Sequence, residues 1–220
     1  MARKTKLEAE QTRARILDAA ERLFFERGVG NTSLEEIAAA ADVTRGAVYW
    51  HFRNKADLFH ALHESISLPQ ERLMERAVAE RHPDPLAVVE EAAINAFSHI
   101  ADDPRSLRVF SILMFRCEYV DDMENALDRQ REVNKRLDCK LVEAFELARA
   151  HGQLDERWTP ATAALAFRTL LSGLLADFLR DPRDRCLARE ARTALRPLFQ
   201  SFRAPAATAK QTVPAEDAAL

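Results

Sequence analysis

Hydrogen-bond donors, aromatic rings and one glycine are concentrated in the segment DVTRGAVYWHFRNKADLF, which spans residues 42–59. An arginine here can donate two parallel hydrogen bonds to guanine O6 and N7, while hydroxyl, imidazole and ammonium groups can donate to phosphate oxygens. Glycine lets a backbone approach a ligand closely, and alanine suits the methyl group of thymine. This chemistry selects the following candidate contacts to a polyanion: Thr44, Arg45, Gly46, Ala47, Tyr49, Trp50, His51 and Lys55.

A helix would divide the side chains of this segment between two faces. Arg45 lies at the predicted start of the helix, where the helix N-terminus adds positive potential. Val48 and Phe52 fall on the other face, and we expect them to pack against the preceding helix. Rings and charges are therefore both expected, because one face meets a core and the other meets a polyanion.

The elements that must position these side chains are helices. Few glycines and a helical apolar period predict about nine α-helices and no strand, which is an all-α fold. Gly28 and Gly152 are expected to cap the first and seventh helices in the left-handed conformation. Thr32 and Glu35 form a predicted capping box, and Thr159 with the proline after it marks another helix start. The predicted helices span about residues 8–27, 33–41, 44–52, 55–81, 85–101, 104–117, 121–151, 160–180 and 185–202.

The second and third predicted helices are short and meet at a tight corner, Asp42-Val43. Two such helices make a helix-turn-helix, which places its second helix in the major groove of DNA. Thr32 and Ser33, at the start of the second helix, join the candidate DNA contacts. The residues alone leave a second interpretation open, a plain three-helix bundle, because the charge over residues 1–60 is nearly balanced.

A basic N-terminal arm favours the DNA-binding interpretation. Arg3, Lys4 and Lys6 precede the first acidic residue of the chain. Basic arms of this kind follow the phosphate backbone or enter a minor groove. Arg3 and Lys4 are therefore added to the candidate DNA contacts.

The composition limits the number of domains, the extent of a basic surface and the compartment in which the protein works. The chain has 220 residues, of which 47% are apolar and 30% charged, so it can form one large domain or two small ones. Its formal net charge is −3, and a polyanion site must therefore be a local patch. The N-terminus lacks the apolar run of a signal peptide, and no stretch approaches about eighteen consecutive apolar residues. We therefore expect a soluble, cytoplasmic protein.

The sequence carries no signature of an enzyme, a metal site or a cofactor site. It contains no Glu-x-x-His pair, no Gly-x-Ser-x-Gly elbow and no glycine-rich phosphate loop. Asp57, His60 and His63 fall at i, i+3 and i+6 of one helix and form an alternative metal set, but a solvated helix face explains them more simply. An odd number of widely spaced cysteines argues against disulfides and zinc and is typical of a reducing compartment. These cysteines are Cys117, Cys139 and Cys186.

Residues 12–59, TRARILDAAERLFFERGVGNTSLEEIAAAADVTRGAVYWHFRNKADLF, resemble the DNA-binding part of the TetR family of transcriptional regulators. Three motifs occur in the family's order and spacing: T-R-x-x-I-L-x-A-A, G-V-x-x-T-S-L-x-x-I-A and V-T-R-G-A-V-Y-W-H-F-x-N-K. The start MARKTK and the segment CEYVDDM at 117–123 resemble the branch that represses multidrug efflux pumps. The resemblance implies a homodimeric repressor that binds a palindromic DNA operator and is released by a small apolar or drug-like inducer.

The resemblance also implies a division of the chain into a DNA-binding domain at 1–54 and a ligand-binding and dimerisation domain at 55–203. The tail at 204–220, rich in Ala, Pro and Thr, is expected to be disordered. A fourth helix from Lys55 to about Arg81 is expected to carry movement from the ligand to the DNA reader. The last two helices are expected to form a four-helix dimer interface, although the same residues would also complete a monomer core. The predicted interface residues are Leu170, Gly173, Leu174, Leu175 and Phe178.

A ligand pocket is expected inside the C-terminal body, because aromatic residues and methionine adapt to varied apolar ligands. A plain hydrophobic core would use the same residues, so both interpretations stay open. The predicted lining residues are Asn95, Phe97, His99, Phe110, Ser111, Met114, Leu137, Cys139, Phe167 and Leu171.

Two further alternatives remain at this point. An acidic cluster would either attract cationic drugs or be a solvated helix start, and the second is favoured; it comprises Glu118, Asp121, Asp122 and Glu124. A helix-turn-helix activator or architectural DNA-binding protein without ligand gating is the alternative to a ligand-responsive repressor. A sizeable cavity in the C-terminal body would favour the repressor.

Overall fold

The computed structural model describes residues 2–66, 76, 78–117 and 124–205, with the backbone only at 2–5, 124–127, 129, 130, 133, 185–188, 191 and 192. Within these residues the chain is all-α, as predicted, with nine helices and one isolated β-bridge. The helices are α1 (Ala2–Arg27), α2 (Leu34–Ala40), α3 (Arg45–His51), α4 (Lys55–Glu64), α5 (Pro85–Asp102), α6 (Pro104–Phe115), α7 (Glu124–Ala150), α8 (Pro160–Arg180) and α9 (Arg185–Phe202).

Several predicted helix ends are confirmed by the caps that the structure shows. Gly28 and Gly152 have φ angles of +87° and +69°, so both adopt the left-handed conformation after their helices. Thr159 and Thr162 form a reciprocal capping box at the start of α8, with a proline at its first position. Asn54 caps α4, because its side chain accepts a hydrogen bond from the backbone N–H of Asp57. Each of these signals acts within four residues of the chain.

The predicted start of α2 is wrong by one residue. Ser33, rather than Thr32, is the N-cap, and its partner in the capping box is Glu36 rather than Glu35. The backbone N–H of Ser33 donates to Glu36 Oε2 at 2.8 Å, and the N–H of Glu36 donates to Ser33 Oγ at 3.2 Å. These hydrogen bonds, with the Arg27 guanidinium nearby, lower the pKa of Glu36.

Two predicted helix lengths are also wrong. α1 begins at Ala2, so the basic segment is the start of a helix and not an extended arm. α4 ends at Glu64, where Ser65 forms the C-cap and donates its hydroxyl to Leu62 O at 2.7 Å. One continuous helix from Lys55 to Arg81 is therefore not formed, and residues 67–75 and 77 lie outside the described residues.

The first four helices share one hydrophobic core, to which α6 also contributes. Phe24 of α1, Ile37 of α2 and Val48 of α3 are fully buried within it. Most of α4 packs into the same core, and α6 adds Val109 and Ile112. The division at residue 54 stays a prediction, and α4 is physically part of the core that supports the first three helices.

A second core lies between α5, α7, α8 and α9. Edge-to-face aromatic pairs fill it, with Phe202 at the centre: its ring lies 5.2 Å from Phe145, 4.9 Å from Trp158 and 5.5 Å from Phe199, centroid to centroid. A smaller cluster adjoins this core and is built on the pair Phe97–Phe178, whose centroids are 5.4 Å apart.

A buried carboxylate ties α1 to α6. Glu21 of α1 is only 3% exposed, and it accepts hydrogen bonds from Arg105 Nε at 3.1 Å and from Arg108 Nε at 2.7 Å, both on α6. At the other end of α6, the backbone N–H of Val29, in the loop after α1, donates to Arg116 O at 2.8 Å. The first half of α6 is thereby tied to α1 by charge-assisted hydrogen bonds, and its C-cap to the following loop by a backbone hydrogen bond.

One described helix, α8, is long and apolar enough to cross a membrane by length and composition. Only 28% of its most apolar window is buried within the chain. Leu165 is 53% exposed, and Gly173 has no atom within 4 Å of the position that a Cβ would occupy. α8 therefore presents an apolar face that its own chain does not cover.

Candidate DNA-binding surface and C-terminal cleft

The structure forms the predicted helix-turn-helix from α2 and α3. Asp42 turns the chain between them with a φ of +53°, a conformation that aspartate tolerates better than most residues. Thr44 caps α3, because its Oγ1 accepts a hydrogen bond from the N–H of Ala47 at 3.1 Å. Val48 is buried under the helix, so the faces of α3 divide as the sequence predicts.

Arg45 stands at the first position of α3 and points along the exposed face. Its Nη2 lies 2.9 Å from Glu35 Oε1 and 3.4 Å from the hydroxyl of Tyr49, and its guanidinium lies over the Tyr49 ring at 5.3 Å. The Tyr49 hydrogen bond, followed by the charge of Glu35, raises the pKa of Arg45, which remains a permanent cation. An exposed pair of this kind is weak, so it can open when a nucleic acid offers better acceptors.

Two large rings are exposed on the same helix. Trp50 is 73% exposed and Tyr49 is 43% exposed, although large aromatic side chains usually bury most of their surface. The rings of Trp50 and His51 meet nearly at right angles, with their centroids 4.5 Å apart, and most of the Trp50 surface remains exposed. Exposed rings beside a cation are typical of a surface that binds another molecule.

Gly46 occupies a position where the fold does not require glycine. It lies in α3 without a positive φ, and an added Cβ would meet only Thr44 Oγ1, at 3.9 Å. A glycine in a helix costs stability relative to alanine. The open space above Gly46 is therefore consistent with the close approach of a second molecule.

His51 ends α3 in a partly buried position. Burial, followed by the nearby charge of Arg13, lowers the pKa of His51, so its ring is neutral at pH 7. Arg13 itself lies 5.3 Å over the Phe52 ring. Arg13 is not among the candidate DNA contacts that the sequence selected. Its exposed position on α1, within the T-R-x-x-I-L-x-A-A motif, is the signal that could have added it.

Three predicted DNA contacts have other partners in the structure. Thr32 is buried, and its hydroxyl donates to Gly28 O at 2.8 Å, so its side chain is not available to a phosphate. Ser33 uses its hydroxyl in the capping box of α2. Lys55 Nζ donates to Gly30 O at 3.3 Å and to Thr32 O at 3.2 Å. Lys55 therefore holds the loop before α2.

The predicted basic arm is only partly described. The backbones of Arg3 and Lys4 belong to the first turn of α1, and their side chains lie outside the described residues. Lys6 is exposed and lies 4.0 Å from Glu10. An arm that is helical follows a phosphate backbone more readily than it enters a minor groove.

Among the described residues, the predicted ligand-lining positions do not line the cleft that the structure shows. Phe97 and Phe167 are buried in the two packed clusters, and the buried Ser111 donates its hydroxyl to Leu107 O at 2.8 Å. The others are exposed or half-buried on several helices, and none of the ten lines the cleft described below. These residues are Asn95, His99, Phe110, Met114, Leu137, Cys139 and Leu171.

A cleft of about 670 Å³ lies instead between α5, the start of α6, the end of α8 and α9, and we call it the α5–α9 cleft. It is partly open to solvent. Its apolar wall comprises Ile94, Ala101, Pro104, Leu107, Phe178 and Pro182. Its polar wall comprises Arg108, Arg189, Thr193 and Arg196.

The predicted dimer residues divide into two groups. Phe178 is 2% exposed, pairs with Phe97 and lines the cleft, so its assignment to the interface is wrong in this structure. Leu170 and Leu174 are half-buried and pack against the chain's own core. Leu175 is half-exposed, and Gly173 is exposed on the uncovered face of α8.

The alternative metal set has ordinary partners. Asp57 accepts from Arg53 Nε at 2.7 Å, and His60 Nδ1 lies 3.4 Å from Glu64 Oε2. Burial, followed by the charge of His60, lowers the pKa of His63. Within the described residues, no group of three potential ligands is placed to hold a metal ion. Glu118, Asp121 and Asp122, and the side chain of Glu124, lie outside the described residues.

Comparison with known proteins connects both parts of the chain to regulators. Residues 16–62 match the family described as bacterial regulatory proteins, tetR family, and residues 84–203 match the C-terminal region of MAATS-type transcriptional repressors. The HTH-type transcriptional repressor BepR of Brucella suis biovar 1 is 37% identical over 204 residues, covering 93% of this chain and 98% of BepR.

Two solved structures show the same architecture. NalD, the secondary repressor of the MexAB-OprM multidrug efflux pump in Pseudomonas aeruginosa, superposes with a TM-score of 0.77 at 38% identity, covering 89% of this chain and 98% of NalD. SmeT, the repressor of the Stenotrophomonas maltophilia efflux pump SmeDEF, in its complex with triclosan gives a TM-score of 0.79 at 32% identity, covering 92% and 97% of the two chains.

Proposed function

This chain belongs to the TetR family of bacterial regulatory proteins, and from that premise we propose that it is a ligand-responsive repressor of a multidrug efflux operon. The relatives that support the efflux assignment are repressors of multidrug efflux pumps, and this chain matches them over nearly their whole length. A DNA-binding regulator acts where the chromosome is, so the protein works in the cytoplasm. Its partners are a palindromic operator, a second copy of the chain and a small inducer.

The observation that carries the proposal is the exposed face of α3. Arg45 lies at the start of this helix, with Tyr49 and Trp50 beside it and open space above Gly46. In the major groove, Arg45 leaves Glu35 and donates to guanine O6 and N7, while the hydroxyl of Tyr49 donates to a phosphate. The ring of His51 offers a further hydrogen-bond donor to a phosphate oxygen.

A dimer supplies the second reader that a palindromic operator requires. Half-sites on one side of the duplex are about 34–36 Å apart, so two copies of α3 must be held at that spacing. The uncovered apolar face of α8 supports a helix-to-helix contact across the dimer axis. Its exposed small residue, Gly173, allows two backbones to approach closely.

The dimer is tested by placing a charge on this face without touching the monomer core. Leu165→Arg should convert the dimer to a monomer in sedimentation, because it would bury an unpaired cation. The variant should keep its helical content, since Leu165 is largely exposed in the chain. Arg149→Gln, on the exposed side of α7, is the control and should stay dimeric. A fully dimeric Leu165→Arg variant would remove α8 from the interface.

The function is tested by mapping where the purified full-length protein binds fragments of its source genome, with and without triclosan. We expect a few palindromic sites, one of them upstream of a transporter operon, with binding lost when triclosan is present. Sites that persist with triclosan and a panel of other apolar drugs would indicate an activator or an architectural protein. No enrichment of any site over an Arg45→Ala control would contradict operator recognition itself.

A further inference from the structure

The α5–α9 cleft combines an apolar wall with a cationic wall. Leu107, Phe178 and Ile94 supply apolar surface, and Arg108, Arg189 and Arg196 supply three guanidinium groups. Among the described lining residues none is acidic. Arg189, Thr193 and Arg196 lie at i, i+4 and i+7, so α9 presents them on one face. A ligand that suits both walls has an apolar body and an anionic head.

From this arrangement we propose that the cleft binds an amphiphilic anion, a carboxylate or sulfonate on an apolar body, and that this anion acts as an inducer. The inference rests on the proposed function, since it names the ligand class of a ligand-responsive repressor. Guanidinium groups favour carboxylates and sulfonates because they donate paired, charge-assisted hydrogen bonds. The volume of about 670 Å³ exceeds what a ten-carbon chain needs, so the cleft accommodates ligands of drug size.

Arg108 connects this cleft to the DNA-binding helices. It lines the cleft, and its Nε and Nη2 both contact Glu21 Oε1 of α1, at 2.7 and 2.6 Å. An anion in the cleft offers Arg108 a second carboxylate. Competition between the bound anion and Glu21 for Arg108 weakens the contact between α6 and α1. By thermodynamic linkage, the anion lowers operator affinity by the same factor by which the operator lowers anion affinity.

The charge requirement is tested by calorimetry without DNA, using decanoate, 1-decanol and decylammonium as matched probes. Decanoate should bind at least about tenfold more tightly than decanol, and decylammonium should bind more weakly than either. In the double variant Arg189→Gln/Arg196→Gln, the affinity for decanoate should fall most of the way to that for decanol, because only Arg108 remains as a cation in the cleft. Arg149→Gln removes one positive charge from the exposed side of α7, outside the cleft, and should leave decanoate binding unchanged. Equal affinities for decanoate and decanol in the wild-type protein would overturn the proposal.

The link to DNA is tested by measuring operator affinity with saturating decanoate. We expect release of the wild-type protein by at least about tenfold, which corresponds to about 1.4 kcal/mol of coupling. The Arg189→Gln/Arg196→Gln variant should bind operator normally and ignore decanoate. Tight decanoate binding that leaves operator affinity unchanged would overturn the inducer assignment.

Failure of this inference is distinguishable from failure of the proposed function. If triclosan releases the operator while decanoate does not bind, the repressor function stands and the anion site is rejected. If decanoate binds with the expected dependence on the arginines while no operator is recognised in the genome, the cleft assignment stands and the repressor function is rejected. Thermal unfolding of each variant, compared with Arg149→Gln, separates lost binding from lost folding.

Discussion

Two arginine–carboxylate contacts in this protein have similar distances and opposite surroundings. Arg45 and Glu35 meet at 2.9 Å on the exposed face of α2 and α3, while Glu21 meets Arg105 at 3.1 Å and Arg108 at 2.6 Å between α1 and α6. Glu21 has 4% of its side chain exposed, whereas Glu35 has 50%. Solvent screens the first contact and leaves it replaceable by DNA, while the second holds a carboxylate that water cannot reach.

The difference indicates what each contact is for. A residue that reads DNA must exchange its partner within one binding event, so its resting partner has to be weak. A residue that connects two parts of a molecule must keep its partner until a ligand competes for it. Substitutions at Glu21, Arg45, Gly46 and Glu35 are therefore expected to act separately on stability and on DNA binding.

Replacing Glu21 should give the largest effect. Glu21→Ala would remove the buried carboxylate that Arg105 and Arg108 share, and we expect the free energy of unfolding to fall by about 2–3 kcal/mol, because both guanidinium groups lose charge-assisted hydrogen bonds but stay in contact with solvent. Chemical denaturation followed by circular dichroism measures it. Glu35→Ala, on the exposed contact, is the matched control and should change stability little. Equal losses for the two variants would remove the distinction between the contacts.

Replacing Arg45 should act on DNA recognition alone. Arg45→Ala is expected to weaken operator binding by roughly 10- to 100-fold and to relax discrimination at the base it reads, because a bidentate contact is lost. Binding to random DNA should change far less, and the unfolding temperature should stay the same. Fluorescence anisotropy with operator and scrambled duplexes measures both affinities. A uniform loss on both duplexes would make Arg45 a phosphate contact.

Adding one methyl group at Gly46 should separate folding from binding. Gly46→Ala is expected to leave stability equal or higher, since alanine is the better helix former and the new Cβ would meet only Thr44 Oγ1, at an ordinary contact distance of 3.9 Å. Operator affinity should fall by about tenfold if DNA approaches this backbone closely, through the steric cost of the added group. Unchanged affinity in the same anisotropy assay would show that α3 does not approach DNA at this position.

Releasing Arg45 from its resting partner should give the smallest effect and the opposite sign. Glu35→Gln removes the competing carboxylate and one negative charge beside the phosphates, so operator affinity should rise by about two- to fivefold. The gain should shrink as salt is added, because the charge is exposed. Glu10→Gln, on α1, serves as a control for the loss of one negative charge. A fall in affinity would mean that Glu35 positions Arg45 for the base.

The helix-turn-helix is predictable from the sequence because the signals for it are local. Caps such as Thr44 and Gly28, the corner at Asp42 and the spacing between Arg45 and Val48 all act within a few residues of one another. Local signals also explain why the errors there were small, such as the shift of the capping box to Ser33. The role of Lys55 was missed because its partners, Gly30 and Thr32, are more than twenty residues away.

In the C-terminal body the sequence predicts the helices, but the contacts between them depend on the tertiary packing. Phe97 packs against Phe178. Glu21 pairs with Arg105, which is 84 residues away along the chain, and with Arg108, which is 87 residues away. Apolar periodicity shows which face of a helix is buried, but it does not show which helix covers that face. Phe178 was therefore placed in the dimer interface when it packs inside, and the arginines of the cleft were not recognised as neighbours. Packing brings such residues together through contacts between distant segments, which the spacing along a single chain does not encode.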